Sequence, residues 1–177
     1  MNHLGFHFSA TECNGWPKLK FFIDDDLYHD FEFTSESALV ELPLDLLPGE
    51  HQICIELYEK NHSNTVVSDD TIIKDQLVTL ESITVDNVLL PDFVKYQGVY
   101  CTGNVNHPQV LTWGQNGTWN LHFEDPIISW VLDLKGQTMA DRVNDLDWAT
   151  STFHPKKLQA VRDDLNILEK ILLDADT

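Results

Sequence analysis

Apolar and polar residues alternate over most of residues 1–135, and a period of two is the period of a β-strand. In residues 3–9, Leu4, Phe6 and Phe8 share one face. The stretch "PGEHQICIELYEK" at 48–60 opens on a Pro-Gly turn and continues with Ile53 and Ile55 on one face. The same pattern predicts further strands at 17–24, 27–34, 38–47, 77–85 and 119–124.

Polar and turn-forming residues separate these runs, as in antiparallel sheets. Asp24, Asp25 and Asp26 indicate one turn, and Asp86-Asn87 indicates a tight hairpin turn. Residues 61–76 are expected to form a polar loop, and the apolar run "IISWVLDL" at 127–134 is expected to be a central strand. The sequence therefore predicts a mainly β fold, an antiparallel β-sandwich of jelly-roll type.

The pattern changes near residue 136, which divides the chain into a sandwich (1–135), a polar linker (136–154) and a helix (155–173). Pro155 suits the first position of that helix. The apolar positions follow at spacings of three and four residues, which is an a/d stripe. They are Leu158, Val161, Leu165, Leu168 and Leu172. This stripe packs either on its own sandwich or on a neighbouring subunit, and its terminal position behind a polar linker favours the neighbour.

The charge of the chain excludes one class of partner. Its 177 residues contain 29 acidic and 11 basic side chains, for a formal net charge of −18. Such a field repels nucleic acids. No apolar run is long enough to cross a bilayer, and the N-terminus does not have the pattern of a secretory signal. We therefore expect a protein that is folded in a cytoplasm, with no nucleic-acid or membrane partner.

The sequence contains no motif of a known catalytic site. It has no G-x-S-x-G elbow, no Gly-rich phosphate loop and no H-E-x-x-H. The three cysteines, Cys13, Cys54 and Cys101, have no metal-ligand spacing. We therefore predict that the protein is not an enzyme.

Two kinds of residue are candidates for ligand binding. Asp70 and Asp75 flank a loop that can offer carboxylates to calcium, although turn aspartates also bond to their own backbone. Among the aromatic residues, Trp119 and Trp130 lie in apolar runs and are expected in the core. Trp113 lies between Thr112 and Gly114 in an expected turn, so it is the better candidate for stacking on a sugar, with Tyr96 and Tyr100 close by in sequence.

Two segments carry a resemblance to known families. The strand "LPGEHQICIELYEK" resembles a Gly-x-His strand of sugar-binding jelly-roll modules, and "DDTIIKDQLVTLESITVDNVLL" looks like a segment of calcium-dependent xylan-binding modules. This resemblance, over residues 45–92, implies a non-catalytic sandwich with calcium held by Asp70 and Asp75. The whole chain also resembles, in type, the small β-sandwich accessory proteins of tailed-bacteriophage virions.

Two functions follow as hypotheses. The first is a non-enzymatic structural or interaction protein, a bacteriophage virion component assembled in the host cytoplasm. Its partners would be copies of itself or other virion subunits, contacted through the helix at 155–173. The alternative is a carbohydrate-binding module, assisted by calcium, that uses Asp70, Asp75 and Trp113. No other cofactor is expected.

Overall fold

The computed structural model describes residues 2–148, with side chains over 3–137. Thirteen strands and one α-helix make up the described part, besides two 3-10 turns. They are β1 (Asn2–Thr11), β2 (Lys18–Ile23), β3 (Asp26–Glu32), β4 (Ser37–Leu44), β5 (Gly49–Tyr58), β6 (Thr65–Ser68), β7 (Thr71–Asp75), β8 (Leu77–Val85), β9 (Val88–Leu89), β10 (Val99–Thr102), β11 (Val105–Pro108), β12 (Thr112–Trp113), β13 (Gly117–Asp125) and α1 (Ile127–Trp148).

The strands form two large antiparallel sheets and one small hairpin. Sheet A has the order β12-β8-β1-β4, with β9 paired to β8. Sheet B has the order β11-β10-β13-β5-β2-β3, and β6 pairs only with β7. The predicted fold class is confirmed: the protein is a mainly β, antiparallel sandwich, and a helix follows its last strand.

The core lies between the inner faces of sheets A and B. Phe6 of β1 is 5.9 Å from Phe21 of β2 and 6.4 Å from Trp119 of β13, measured between ring centroids. In β2, β5 and β13 the buried positions are every second residue, such as Ile53, Ile55 and Leu57 of β5. The alternation read from the sequence is therefore the alternation between core and surface.

Two Asp-Asp pairs and one Asp-Asn pair of the sequence form two-residue hairpin turns. Asp24-Asp25, Asp69-Asp70 and Asp86-Asn87 each have positive φ at both residues. That conformation is the type I′ turn, which matches the twist of the strands it joins, and Asp and Asn tolerate it better than most other residues. The turns predicted around Asp24 and Asp86 are confirmed, whereas residues 61–76, expected to be a loop, contain the β6–β7 hairpin.

The prediction of a strand at 127–134 is wrong, because this segment begins helix α1. Ile127 and Val131 are one helical turn apart and both are buried, whereas Ile128 is 40% exposed. A short apolar run does not distinguish a buried strand from the first turns of a helix. The segment 127–134 is thus the first two turns of α1, which begins at Ile127.

The chain divides into two compact units, Met1–Leu132 and Asp133–Thr177. The first holds both sheets; the described part of the second is the remainder of α1. Within residues 2–148, no helix is long and apolar enough to cross a membrane. The helix predicted at 155–173, with its Leu158, Val161, Leu165, Leu168 and Leu172 stripe, lies outside the described residues. The predicted division at 135, 154 and 173 therefore stays a prediction.

Candidate functional site

A cleft of about 920 Å³ lies between the β1–β2 connection, the β3–β4 connection and strand β7. Trp16 contributes its one aromatic ring, and we call it the Trp16 cleft. Its lining residues are Thr11, Glu12, Trp16, Ser35, Glu36, Ser37, Ile73, Lys74, Asp75 and Leu77. The cleft therefore combines an indole ring, three carboxylates, three hydroxyls and one ammonium group.

Trp16 is held in place by a tightly bonded turn. Two buried amide side chains fix the backbone just before it: Asn64 Nδ2 donates to the carbonyl of Cys13 (3.0 Å), and Gln76 Nε2 donates to the carbonyl of Gly15 (2.9 Å). Gly15 has a φ of +123°, a conformation that glycine adopts without strain. The Trp16 ring is half-buried and packs against the core. The backbone that carries the ring is thus pre-organised.

Glu12 and Lys74 form an ion pair along the cleft. Glu12 Oε2 accepts from Lys74 Nζ at 3.0 Å, and Oε1 accepts from the backbone N–H of Gly15 at 3.1 Å. The Gly15 hydrogen bond, followed by the bond and charge of Lys74, lowers the pKa of Glu12. This carboxylate stays ionised at neutral pH and acts only as an acceptor.

Asp75 is hydrogen-bonded to two side chains that do not line the cleft. Its Oδ1 accepts from Lys60 Nζ at 2.7 Å and from Thr65 Oγ1 at 2.6 Å. Burial raises the pKa of Asp75, but these hydrogen bonds and the Lys60 charge outweigh it, so the net pKa lies below its ordinary value. Asp75 is therefore an ionised group whose Oδ1 is held by Lys60 and Thr65.

Two polar groups of the cleft are available to a ligand. Among the described residues, neither the Glu36 carboxylate nor the Ser37 hydroxyl has a hydrogen-bond partner, and both residues are exposed. Ser35 Oγ is engaged with the Ser37 carbonyl at 2.8 Å. A ligand rich in hydroxyl groups can therefore bond to Glu36 and Ser37 without displacing an internal bond.

The expectation that Trp113 offers an open ring is wrong. Trp113 lies in β12, not in a turn, and is fully buried. Tyr100 is also buried and stacks on it, with ring centroids 5.2 Å apart. Flanking Thr and Gly residues suggested a turn, but the two-residue strand pairs with Val78 and points the indole inward. Neither ring face of this pair is free for a sugar.

Tyr96 is exposed, so its ring is open to a ligand. It lies in a 3-10 turn at Lys95–Gln97 and is 45% exposed. Lys95 Nζ lies 5.7 Å from its ring centroid. Tyr96 does not line the Trp16 cleft, and its role in binding stays a prediction.

The structure does not bring the two calcium candidates together. Asp70 lies at the tip of the β6–β7 hairpin and Asp75 at its base. Within the described residues, no group of three or more His, Cys, Asp or Glu side chains could hold a metal. Asp75 already has an ammonium partner, so the residues as placed do not fit a calcium cage. Calcium binding stays a prediction for the chain.

A second cleft, of about 330 Å³, lies beside the start of α1. His51 lies there between two acceptors: its Nδ1 is 2.7 Å from Asp24 Oδ2 and its Nε2 is 2.7 Å from the Leu47 carbonyl. The His51 ring packs on Phe123, which also contacts Trp130. Since both ring nitrogens face acceptors, the Leu47 carbonyl and then the Asp24 carboxylate favour the imidazolium form and raise the pKa of His51.

Sequence reasoning missed Trp16, Glu12 and Lys74. The signal for Trp16 is the stretch "CNGWP", in which an Asn-Gly turn delivers a tryptophan that a proline follows. Glu12 and Lys74 are 62 residues apart in the chain, and only the meeting of β7 with the β1–β2 connection brings them together. No spacing rule predicts such a pair.

Comparisons with known proteins return two structural neighbours. No family model matches the chain, and no curated protein matches it. One similar solved structure is vCBM60 in complex with galactobiose, at 10% identity and a TM-score of 0.47, covering 67% of this chain and 96% of that one. The other is a SeMet form of vCBM60, described with two families of calcium-dependent carbohydrate binding modules. It has 13% identity and a TM-score of 0.47, and covers 68% and 90%.

Proposed function

We propose that this protein is a non-catalytic carbohydrate-binding module whose ligand site is the Trp16 cleft. The observation that carries the proposal is a half-buried indole in one cleft with Glu36 and Ser37, whose side-chain oxygens have no hydrogen-bond partner among the described residues. Apolar ring faces of sugars stack on indole, while their hydroxyls need acceptors and donors at the ring's edge. The cleft has both kinds of group among its lining residues.

The chemistry of the lining groups favours binding over hydrolysis. Glycoside hydrolysis needs a carboxylic acid that keeps its proton near neutral pH, opposite a second carboxylate. Glu12 and Asp75 have lowered pKa values instead, and each is committed to a lysine. These two carboxylates therefore serve as fixed acceptors and as supports for the cleft.

Substitution of Trp16 tests the proposal. We expect Trp16→Ala to weaken glycan binding by about 2 kcal/mol, roughly 30-fold in Kd, because an aromatic anchor is lost. Binding is first located on a glycan array that includes galactobiose, then measured by calorimetry. Trp16→Phe should retain part of the affinity.

The matched control is Tyr96→Ala, which removes an exposed aromatic ring outside the cleft. It should bind like the wild type. Equal affinity of Trp16→Ala and wild type, or a loss confined to Tyr96→Ala, would place the ligand elsewhere and refute the proposal. Circular dichroism confirms that each variant is folded.

A structural or interaction role, as a bacteriophage virion component, is the second proposed function. Its support is the sequence stripe of Leu158, Val161, Leu165, Leu168 and Leu172. Light scattering on chains 1–177 and 1–150 tests it. An oligomer that becomes a monomer on truncation supports an assembly helix, whereas equal masses per chain count against self-assembly through it.

A further inference from the structure

Lys60 is an almost buried cation at the base of the β6–β7 hairpin, with a side chain only 7% exposed. Its three N–H donors face three oxygen acceptors. They are Asp75 Oδ1 and the Gln76 carbonyl, both at 2.7 Å, and the Gly114 carbonyl. An ammonium group has three donors and no acceptor, so its hydrogen-bonding capacity is fully used.

The same three oxygens are of the chemical kind that binds a hard cation. Carboxylate and backbone carbonyl oxygens are the ligands that calcium takes in loops. The loop geometry is adjusted to them: a Cβ at Gly114 would lie 3.0 Å from Leu77 Cδ2 and 3.5 Å from Asp75 Oδ2. A larger residue at 114 would require the Leu77 side chain to shift by a few tenths of an ångström. We call the three oxygens and Thr65 Oγ1 the Lys60 cage.

We propose that the Lys60 ammonium is the resident cation of this cage, that it takes the place of a divalent metal, and that the Asp75 wall of the Trp16 cleft therefore forms without calcium. A calcium ion at these oxygens would lie against the ammonium and be repelled by it. The consequence for glycan binding rests on the proposed function, whereas the occupancy of the cage does not.

The ammonium itself can be observed in the wild-type protein. A buried, fully bonded lysine exchanges its ammonium hydrogens slowly enough for an Nζ–Hζ cross-peak in ¹⁵N NMR spectra. We expect one such peak to vanish in Lys60→Arg, which identifies it, and to be unchanged by about 5 mM CaCl₂, a concentration above the weakest protein affinities for calcium. An absent peak, or one that calcium displaces and EDTA restores, overturns the proposal.

Thermal unfolding provides a second readout with a matched control. Lys60→Ala leaves Asp75 and two carbonyls without their cation, and we expect the midpoint to fall by roughly 10 °C. Lys18→Met removes a partly exposed lysine that also has two carboxylate neighbours, Glu32 and Glu59, and should lower the midpoint by at most about 2 °C.

Added calcium then distinguishes a cage occupied by the Lys60 ammonium from a cage that binds calcium. It should raise the midpoint of Lys60→Ala, whose cage is vacant, and leave the wild type unchanged. A wild-type midpoint that rises with calcium and loses this rise in Asp75→Asn, or a Lys60→Ala midpoint that calcium does not move, contradicts the proposal. If Lys60→Ala does not fold, the NMR measurement on the wild type still decides. Neither readout uses a glycan, so a failed Trp16 test leaves both intact.

Discussion

His51 shows how a single residue sets a pH dependence in this fold. The Leu47 carbonyl, followed by the Asp24 carboxylate, stabilises the imidazolium and raises the pKa of His51, and Asp125 adds in the same direction. Asp24 accepts from the backbone N–H of Gln52 and from His51, which lowers its pKa. The two groups thus stabilise the folded state over an intermediate range of pH.

The signs give a testable profile. The raised pKa of His51 contributes stability that is complete below its ordinary value of 6.5 and is lost as pH rises through the folded value. The lowered pKa of Asp24 contributes stability above 3.8 that is lost as pH falls through the folded value. We expect the free energy of unfolding in urea to decline as pH rises above 6.5, and this decline to be smaller in His51→Gln. Parallel profiles for the two proteins would contradict the assignment.

A second single residue, Gly98, has a steric role. A Cβ placed there would lie 2.1 Å from Trp119 Cε2, and the Trp119 ring is fully buried in the core. The φ of −73° is ordinary, so the requirement for glycine comes from packing alone. We expect Gly98→Ala to destabilise the fold by about 3 kcal/mol in urea titrations, since the indole has to move. Gly136→Ala, in α1 with nothing within 4 Å, should instead be neutral or stabilising.

At the scale of elements, the positions of the core strands follow from the sequence because each of these strands has one buried face and one face toward solvent. Alternation at Leu4, Phe6 and Phe8 is enough to orient β1 against sheet B. The run at 127–134 gives no such information, since it is apolar at consecutive positions. Its helical state is visible only in three dimensions, where Ile127 and Val131 are buried together.

The site is less predictable than the fold because its parts come from separate elements. Trp16 belongs to the β1–β2 connection, Glu36 to the β3–β4 connection and Lys74 to β7. Asp75 was identified from the sequence as a calcium ligand, but its actual partner, Lys60, is 15 residues earlier. Only the packing of the loops makes that pair.

The β6–β7 hairpin provides a prediction about its turn. Asp69 and Asp70 have φ values of 49° and 60°, in the left-handed region where a side chain costs energy. We expect Asp70→Gly to stabilise the protein by about 0.5 kcal/mol, measured by urea unfolding, because glycine adopts this region freely. Glu41→Gly, at an exposed position inside β4, should cost about 1 kcal/mol instead.

Asp70→Gly also tests the prediction that Asp70 binds calcium. A turn residue can be replaced without any effect on calcium response, whereas a ligand cannot. If Asp70→Gly lowered the unfolding midpoint only when calcium is present, Asp70 would be a ligand and the turn interpretation would be wrong.

At the scale of the whole molecule, the charge predicts which glycans the proposed carbohydrate site would accept. The chain carries 29 acidic against 11 basic side chains, a formal net charge of −18, and among the residues that line the Trp16 cleft three are acidic and one, Lys74, is basic. Sulfated or uronic-acid glycans therefore approach against a repulsive potential, while neutral sugars do not. Selectivity of this origin is long-range and depends on salt.

We therefore expect array binding to neutral glycans and little binding to anionic ones at about 20 mM salt. The screening length falls from roughly 20 Å there to about 4 Å at 0.5 M, so added salt should reduce the discrimination. Neutral-glycan affinity should change little over the same range, since stacking and neutral hydrogen bonds are weakly screened. Retention on heparin at low salt, weakened by added salt, would show instead that a local basic surface dominates the field and would refute this prediction.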